Sequence, residues 1–189
     1  MSIRSACYET LVIRRIYTYP APVLKEVAQD VTDIDGVVAK AIDDMVETMY
    51  AAPGVGLAAP QIGLSQRVIV LDVDHENKGK QLLKLVNPVI TESEGEVLWE
   101  EGCLSVRDYQ AEVLRAERVL VKAWTTDQKE VEIEGTGLLA VALQHEIDHL
   151  NGTLFLDRLS RLKRDLYRRK LKKMERDGRD APPARRAMI

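Results

Sequence analysis

The sequence predicts an α+β fold in which antiparallel or mixed β-sheets pack around a central helix, with a separate basic helix near the C-terminal end. Three observations carry this. Strand-like runs are grouped between residues 67 and 133 instead of alternating with helices, which argues against a doubly wound sheet. A helical stripe of Leu139, Leu143, Ile147 and Leu150 begins only after them. Between residues 158 and 179 stand eleven Lys or Arg against Asp165, Glu175 and Asp177, a local balance of +8 in a chain of net charge −3, so the remainder carries −11.

Taken in order, Val38, Ile42, Met45, Val46 and Met49 recur at three- and four-residue steps among charged residues. That spacing predicts an amphipathic helix ended by Pro53, with a loop from Gly54. Residues 67–73 and 82–90 are apolar, β-branched runs on either side of a polar segment containing His75, Asn77 and Gly79, and read as strands. Val119, Val121 and Ala123, then Val131 and Ile133, alternate with polar neighbours about Asp127-Gln128-Lys129, which predicts a hairpin. The stripe from Gly137 predicts a mostly buried helix stopped by Asn151-Gly152. Ser160 is placed to cap a final helix over about 160–178, with Leu162, Leu166, Tyr167, Leu171 and Met174 partly on one side. Residues 1–180 are expected to form a single domain and 181–189 a disordered tail.

Composition narrows the class. At 46% hydrophobic and 30% charged, 189 residues can bury a real core. No apolar run approaches the roughly 18 residues of a membrane span, so no membrane partner is expected. Two cysteines allow at most one internal disulfide, and the first twenty residues lack a signal peptide's apolar stretch. A reducing, intracellular compartment is expected. Arg4, Arg14 and Arg15 only faintly resemble an organellar leader, because the segment is short and Ser-poor.

The chemistry concentrates in His145-Glu146-Ile147-Asp148-His149. Residues four apart on a helix lie one turn above each other, so the two imidazoles can share a metal ion, while Glu146 beside them can move a proton to or from water. The alternative is two hydrogen-bonded core histidines. For a third ligand the residues offer His75 in its polar loop, or Cys103 in Glu101-Gly102-Cys103-Leu104-Ser105; Cys103 can equally be a small buried hydrophobe. Gly54-Val55-Gly56-Leu57-Ala58-Ala59-Pro60-Gln61 is either an ordinary turn or a close-approach loop whose Gln61 amide stabilises an oxyanion. Cys7 has no chemical company and receives no role.

Together these three segments, with Gln144 and Leu150-Asn151-Gly152 around the histidines, resemble peptide deformylase, which removes the formyl group from N-terminal methionine of new proteins. The resemblance runs from about Ile16, through Tyr19-Pro20-Ala21-Pro22-Val23-Leu24, to the C-terminal helix. It implies that Cys103, His145 and His149 bind one divalent metal and that Glu146 is the acid and base. It further implies that the Gln61 side chain and the Leu104 backbone N–H form the oxyanion hole. Val55, Gly56 and Gly102 would pair with the formyl-methionyl nascent peptide as a strand edge. Ligand chemistry alone suggests zinc; the resemblance implies Fe2+ in the cell, replaceable by Ni2+, Co2+ or, less actively, Zn2+.

Many family members have proline after Glu-Gly-Cys-Leu-Ser-Val, where this chain has Arg107. That departure concerns the rim of the substrate site and not its chemistry. By charge alone the basic C-terminal segment is either a solvated helix face or an anion-binding tail. The resemblance favours the latter, with the ribosome as partner. Two other readings are a zinc peptidase with a downstream third ligand, although no histidine follows His149, and a catalytically silent ribosome-binding relative, although every implied ligand and the base are present.

Overall fold

The run Val68-Ile69-Val70-Leu71 is apolar at every position because both faces of its strand are covered. Ile69 and Leu71 pack with Leu143, Ile147 and Leu150, whereas Val68 and Val70 pack with Ile42, Met45 and Met49. A computed structural model describes residues 12–74 and 76–177. Its elements are α1 (Gly36–Ala51), β1 (Gly56–Ala58), β2 (Val68–Leu71), β3 (Leu83–Glu94), β4 (Val97–Cys103), β5 (Val106–Arg115), β6 (Arg118–Trp124), β7 (Glu130–Thr136), α2 (Gly137–Leu150) and α3 (Arg161–Arg176). Short 3-10 turns occupy Pro22–Lys25, Ala59–Ile62 and Phe155–Arg158.

One sheet has the order β1-β2-β3-β6-β7 and the other is the β4-β5 pair; every ladder in both is antiparallel. The expected α+β class holds, with the mixed alternative resolved to antiparallel. α2 crosses one face of the larger sheet, where Val119, Val121 and Ala123 of β6 complete its apolar bed. α1 covers the other face at β1 and β2. Asp35 caps α1 by accepting from the N–H groups of Val37 and Val38 at 2.9 Å, satisfying donors that the first turn leaves open. Gly152 follows α2 at φ +67, and a Cβ there would stand 2.6 Å from the Lys25 carbonyl oxygen, so both backbone and space require glycine.

Three differences from the sequence reading stand out. Residues 97–115, left unassigned, form the β4-β5 hairpin, and β3 runs on to Glu94. Leu162 and Leu166 face solvent at 70% and 52% exposure, so α3 is seated by Tyr167 and Leu171, an i,i+4 pair forming a single narrow stripe. Ser160 does cap α3, its hydroxyl accepting from the Lys163 N–H at 3.4 Å. The expected tail at 181–189, Cys7 and His75 lie outside the described residues. Among the described residues no helix is long and apolar enough to cross a membrane.

Candidate metal centre

α2 uses its apolar stripe to lie on the sheet, which leaves His145, Glu146 and His149 on faces that do not touch that bed but are nonetheless buried. The cover comes from the far side, where β4 ends at Cys103 among Phe155, Leu156 and Tyr167. Cys103 Sγ is 3.2 Å from His149 Nε2, and the two imidazole rings meet edge-on with centroids 5.0 Å apart. One ligand atom from each of Cys103, His145 and His149 lies within 4.8 Å of the others. The three residues expected from the sequence are thus brought together from two elements.

The donor set fits a divalent transition metal. One potential thiolate and two imidazoles are the usual N/S ligands of such ions. A second observation agrees: His145 Nε2 is buried without a hydrogen-bond partner, although an unsatisfied buried polar atom costs about 1–3 kcal/mol. The other ring nitrogen, Nδ1, is 2.8 Å from Glu101 Oε2. With Glu101 ionised, Nδ1 carries the proton and Nε2 presents its lone pair to the cluster.

Glu101 is held ionised by its neighbours. Burial alone would raise its pKa, but Arg115, through bonds of 2.5 and 2.9 Å, and then His145 pull it down to about 2. Arg115 continues the chain to Asp148 at 2.6 Å, and Arg158 grips both oxygens of Asp148 at 2.5 Å. Sequence reasoning assigned no role to Glu101, Arg115 or Asp148, and counted Arg158 only within the basic C-terminal segment. The available signal was the rule that a metal-bound histidine hands its second N–H to an acceptor, with Glu101 two residues before Cys103 and Asp148 inside the histidine motif.

Glu146, next to His145 on α2, is not a member of the cluster. Its Oε2 is buried and unpartnered, and burial raises its pKa to about 7. A carboxyl group in that range can both accept and return a proton near neutrality. Its position depends on Gly56, where a Cβ would lie 2.3 Å from Glu146 Oε1. Gln61 is oriented by its neighbours. Its Oε1 accepts from the Ala58 N–H at 2.7 Å, so its NH2 turns to Ser105 Oγ at 3.1 Å and Cys103 Sγ at 3.7 Å.

Two open strand edges flank this point. β1, with Gly56 and next to Val55, is the outermost strand of its sheet, and β4 has β5 on one side only. Gly102 falls where the β4-β5 register shifts, between Glu101 and Cys103, and Leu104 follows, buried in the α1 cluster. Arg107 lies beyond the turn, its guanidinium donating to Thr18 Oγ1 at 3.0 Å.

Residues 13–165 match the family model described as polypeptide deformylase. A peptide deformylase from Thermodesulfovibrio yellowstonii is 52% identical over 162 residues, 86% of this chain and 98% of that protein. The crystal structure of a peptide deformylase from Legionella pneumophila superposes with a TM-score of 0.84 at 49% identity, covering 90% of this chain and 100% of that one. The Ehrlichia chaffeensis peptide deformylase, solved in complex with actinonin, is similar at a TM-score of 0.80 and 41% identity over 87% of this chain and 98% of that one.

Proposed function

The chain belongs to the polypeptide deformylase family, and from that premise we propose that it hydrolyses the N-formyl group of formyl-methionine at the start of new polypeptides, releasing formate. The observation that carries this reading is the buried Cys103-His145-His149 cluster with Glu146 beside it and the Gln61 amide aimed at it. Cys103, His145 and His149 would hold one divalent ion. When bound, such an ion polarises a carbonyl oxygen and lowers the pKa of water.

The chain's own residues supply the rest. The edges of β1 at Val55-Gly56 and of β4 at Gly102 take the substrate backbone as an added strand, which fixes the formyl group against the cluster. The Gln61 NH2 and the Leu104 N–H donate to the oxygen that becomes negative when water attacks the formyl carbon. Glu146 accepts the proton of the attacking water and delivers it to the departing amine, so formate and a free N-terminus leave.

The resemblance supports Fe2+ as the resident ion and the bacterial cytoplasm as the compartment; the same soft and borderline ligands accept Ni2+, Co2+ or Zn2+. Anaerobically purified protein is expected to free the N-terminal amine of formyl-methionyl peptides, with release of formate, and to leave acetyl-methionyl peptides intact. Equal or absent turnover of the two would overturn the assignment.

α3 is further proposed to dock the protein on the ribosome. It carries nine Lys or Arg against Asp165 and Glu175, and only Tyr167 and Leu171 are buried. Contacts to RNA phosphate weaken as salt rises, because counterions released on binding return. Co-sedimentation with ribosomes should fall steeply between low and moderate salt and be lost on truncation after Leu159. Binding insensitive to both would remove this role.

A further inference from the structure

A chain of charged side chains runs from the surface to the metal cluster, and its outer end is Arg158. From this geometry we propose that Arg158 is a positioning residue for His145, acting through Asp148, Arg115 and Glu101. The proposal rests on the reading of Cys103, His145 and His149 as metal ligands.

Each link is short and paired. Arg158 Nε and Nη2 meet the two oxygens of Asp148 at 2.5 Å, and Asp148 Oδ2 also receives Arg115 Nη1 at 2.6 Å. Arg115 Nε and Nη2 then clamp Glu101, whose Oε2 accepts from His145 Nδ1 at 2.8 Å. Glu101, Arg115, Asp148 and His145 are all buried, whereas the Arg158 side chain is 42% exposed. Two guanidinium groups therefore balance two carboxylates, and one of the cations comes from outside the core.

That balance decides the consequence of losing it. Without Arg158, two buried carboxylates compete for the single Arg115 fork, because removing one partner leaves the other charge buried and short of bonds. Arg115 swings toward Asp148, Glu101 loosens, and His145 loses the acceptor that sets its ring orientation and tautomer. Asp148 stands one helical turn from His145 on α2, so helix rotation alone cannot absorb the change. Arg158 closes the 3-10 turn Phe155–Arg158, three residues before α3 begins, so the chain also ties the seating of the C-terminal helix to the cluster.

The test uses full-length protein loaded with Co2+. Wild type, Arg158→Ala, Arg158→Lys, Glu101→Gln and the double variant Glu101→Gln/Arg158→Ala are titrated with a chelator while the visible cobalt spectrum is followed. Direct outer-shell partners of a metal ligand affect affinity by about 10–100-fold, and Arg158, three links beyond the direct partner Glu101, is expected to give about 3–10-fold weaker cobalt retention in Arg158→Ala, with a shifted spectrum. Arg158→Lys should recover only part, since an ammonium cannot span both Asp148 oxygens. In the Glu101→Gln background, removing Arg158 should have no further effect. Arg158→Gln, which removes the charge but keeps a polar side chain, reads the same quantity if the alanine variant folds poorly. Wild-type cobalt affinity and spectrum in the Arg158 variants, or additive losses in the double variant, would overturn the proposal while leaving the metal site standing. A wild-type protein that takes up no cobalt would overturn both.

Discussion

Glu146→Gln should lower kcat for formate release by about 10²–10⁴-fold while the bound metal stays in place, the usual loss when a positioned acid-base group is removed. The substitution keeps the volume of the side chain in its buried slot beside Gly56 and removes only its ability to accept and return a proton. Glu146 is not a member of the donor cluster, so metal content measured on the same sample should match wild type. The separation of the two readouts is informative. A fall in both would place Glu146 in metal binding, and unchanged turnover would remove it from the mechanism.

The second large effect is expected from a single methyl group. In Gly56→Ala the new Cβ would stand 2.3 Å from Glu146 Oε1, 2.8 Å from its Cδ and 2.9 Å from its Cγ. A flexible surface carboxylate would simply swing aside, but Glu146 is buried and three of its atoms are involved, so the whole side chain or β1 must shift. Misplacing a reacting group by about an ångström costs on the order of 10²-fold in rate, and overpacking costs about 1–3 kcal/mol of stability. Peptide kinetics and thermal unfolding of the metal-loaded variant check both effects. A kcat within threefold of wild type would show that Gly56 does not set the position of Glu146.

Some of this was legible in the residues alone. The His145 and His149 spacing works because α2 is a regular helix, and the Leu139, Leu143, Ile147 and Leu150 period states that helix plainly. β2 was readable as a strand from its unbroken β-branched apolar run, and the β6-β7 hairpin from alternation about a turn. The β4-β5 hairpin was not. Its outer face sets Leu98 opposite Leu114 and Glu100 opposite Glu112, so apolar and charged residues mix on the side that faces water and the period-two signal is lost. α3 was legible only in part: of the five apolar residues read as partly on one side, Tyr167 and Leu171 are the two that are buried.

Cys103 as third ligand came from family resemblance, since a lone cysteine 42 residues before the histidine motif is also an ordinary core residue. The charged chain behind His145 was invisible for a deeper reason. Its links join residues 14, 33 and 10 positions apart, on β4, β5, α2 and a 3-10 turn, and no local periodicity encodes such pairings. Only after folding does the excess of carboxylates near the cluster find its guanidinium partners.

X-ray absorption on the metal-loaded, anaerobically handled protein bears most directly on the central claim. A metal bound by one sulfur and two imidazole nitrogens per chain, with the sulfur contribution lost in Cys103→Ala, is the predicted result. A spectrum without sulfur ligation, or one unchanged by Cys103→Ala, would contradict the assignment of Cys103, His145 and His149 as the metal centre.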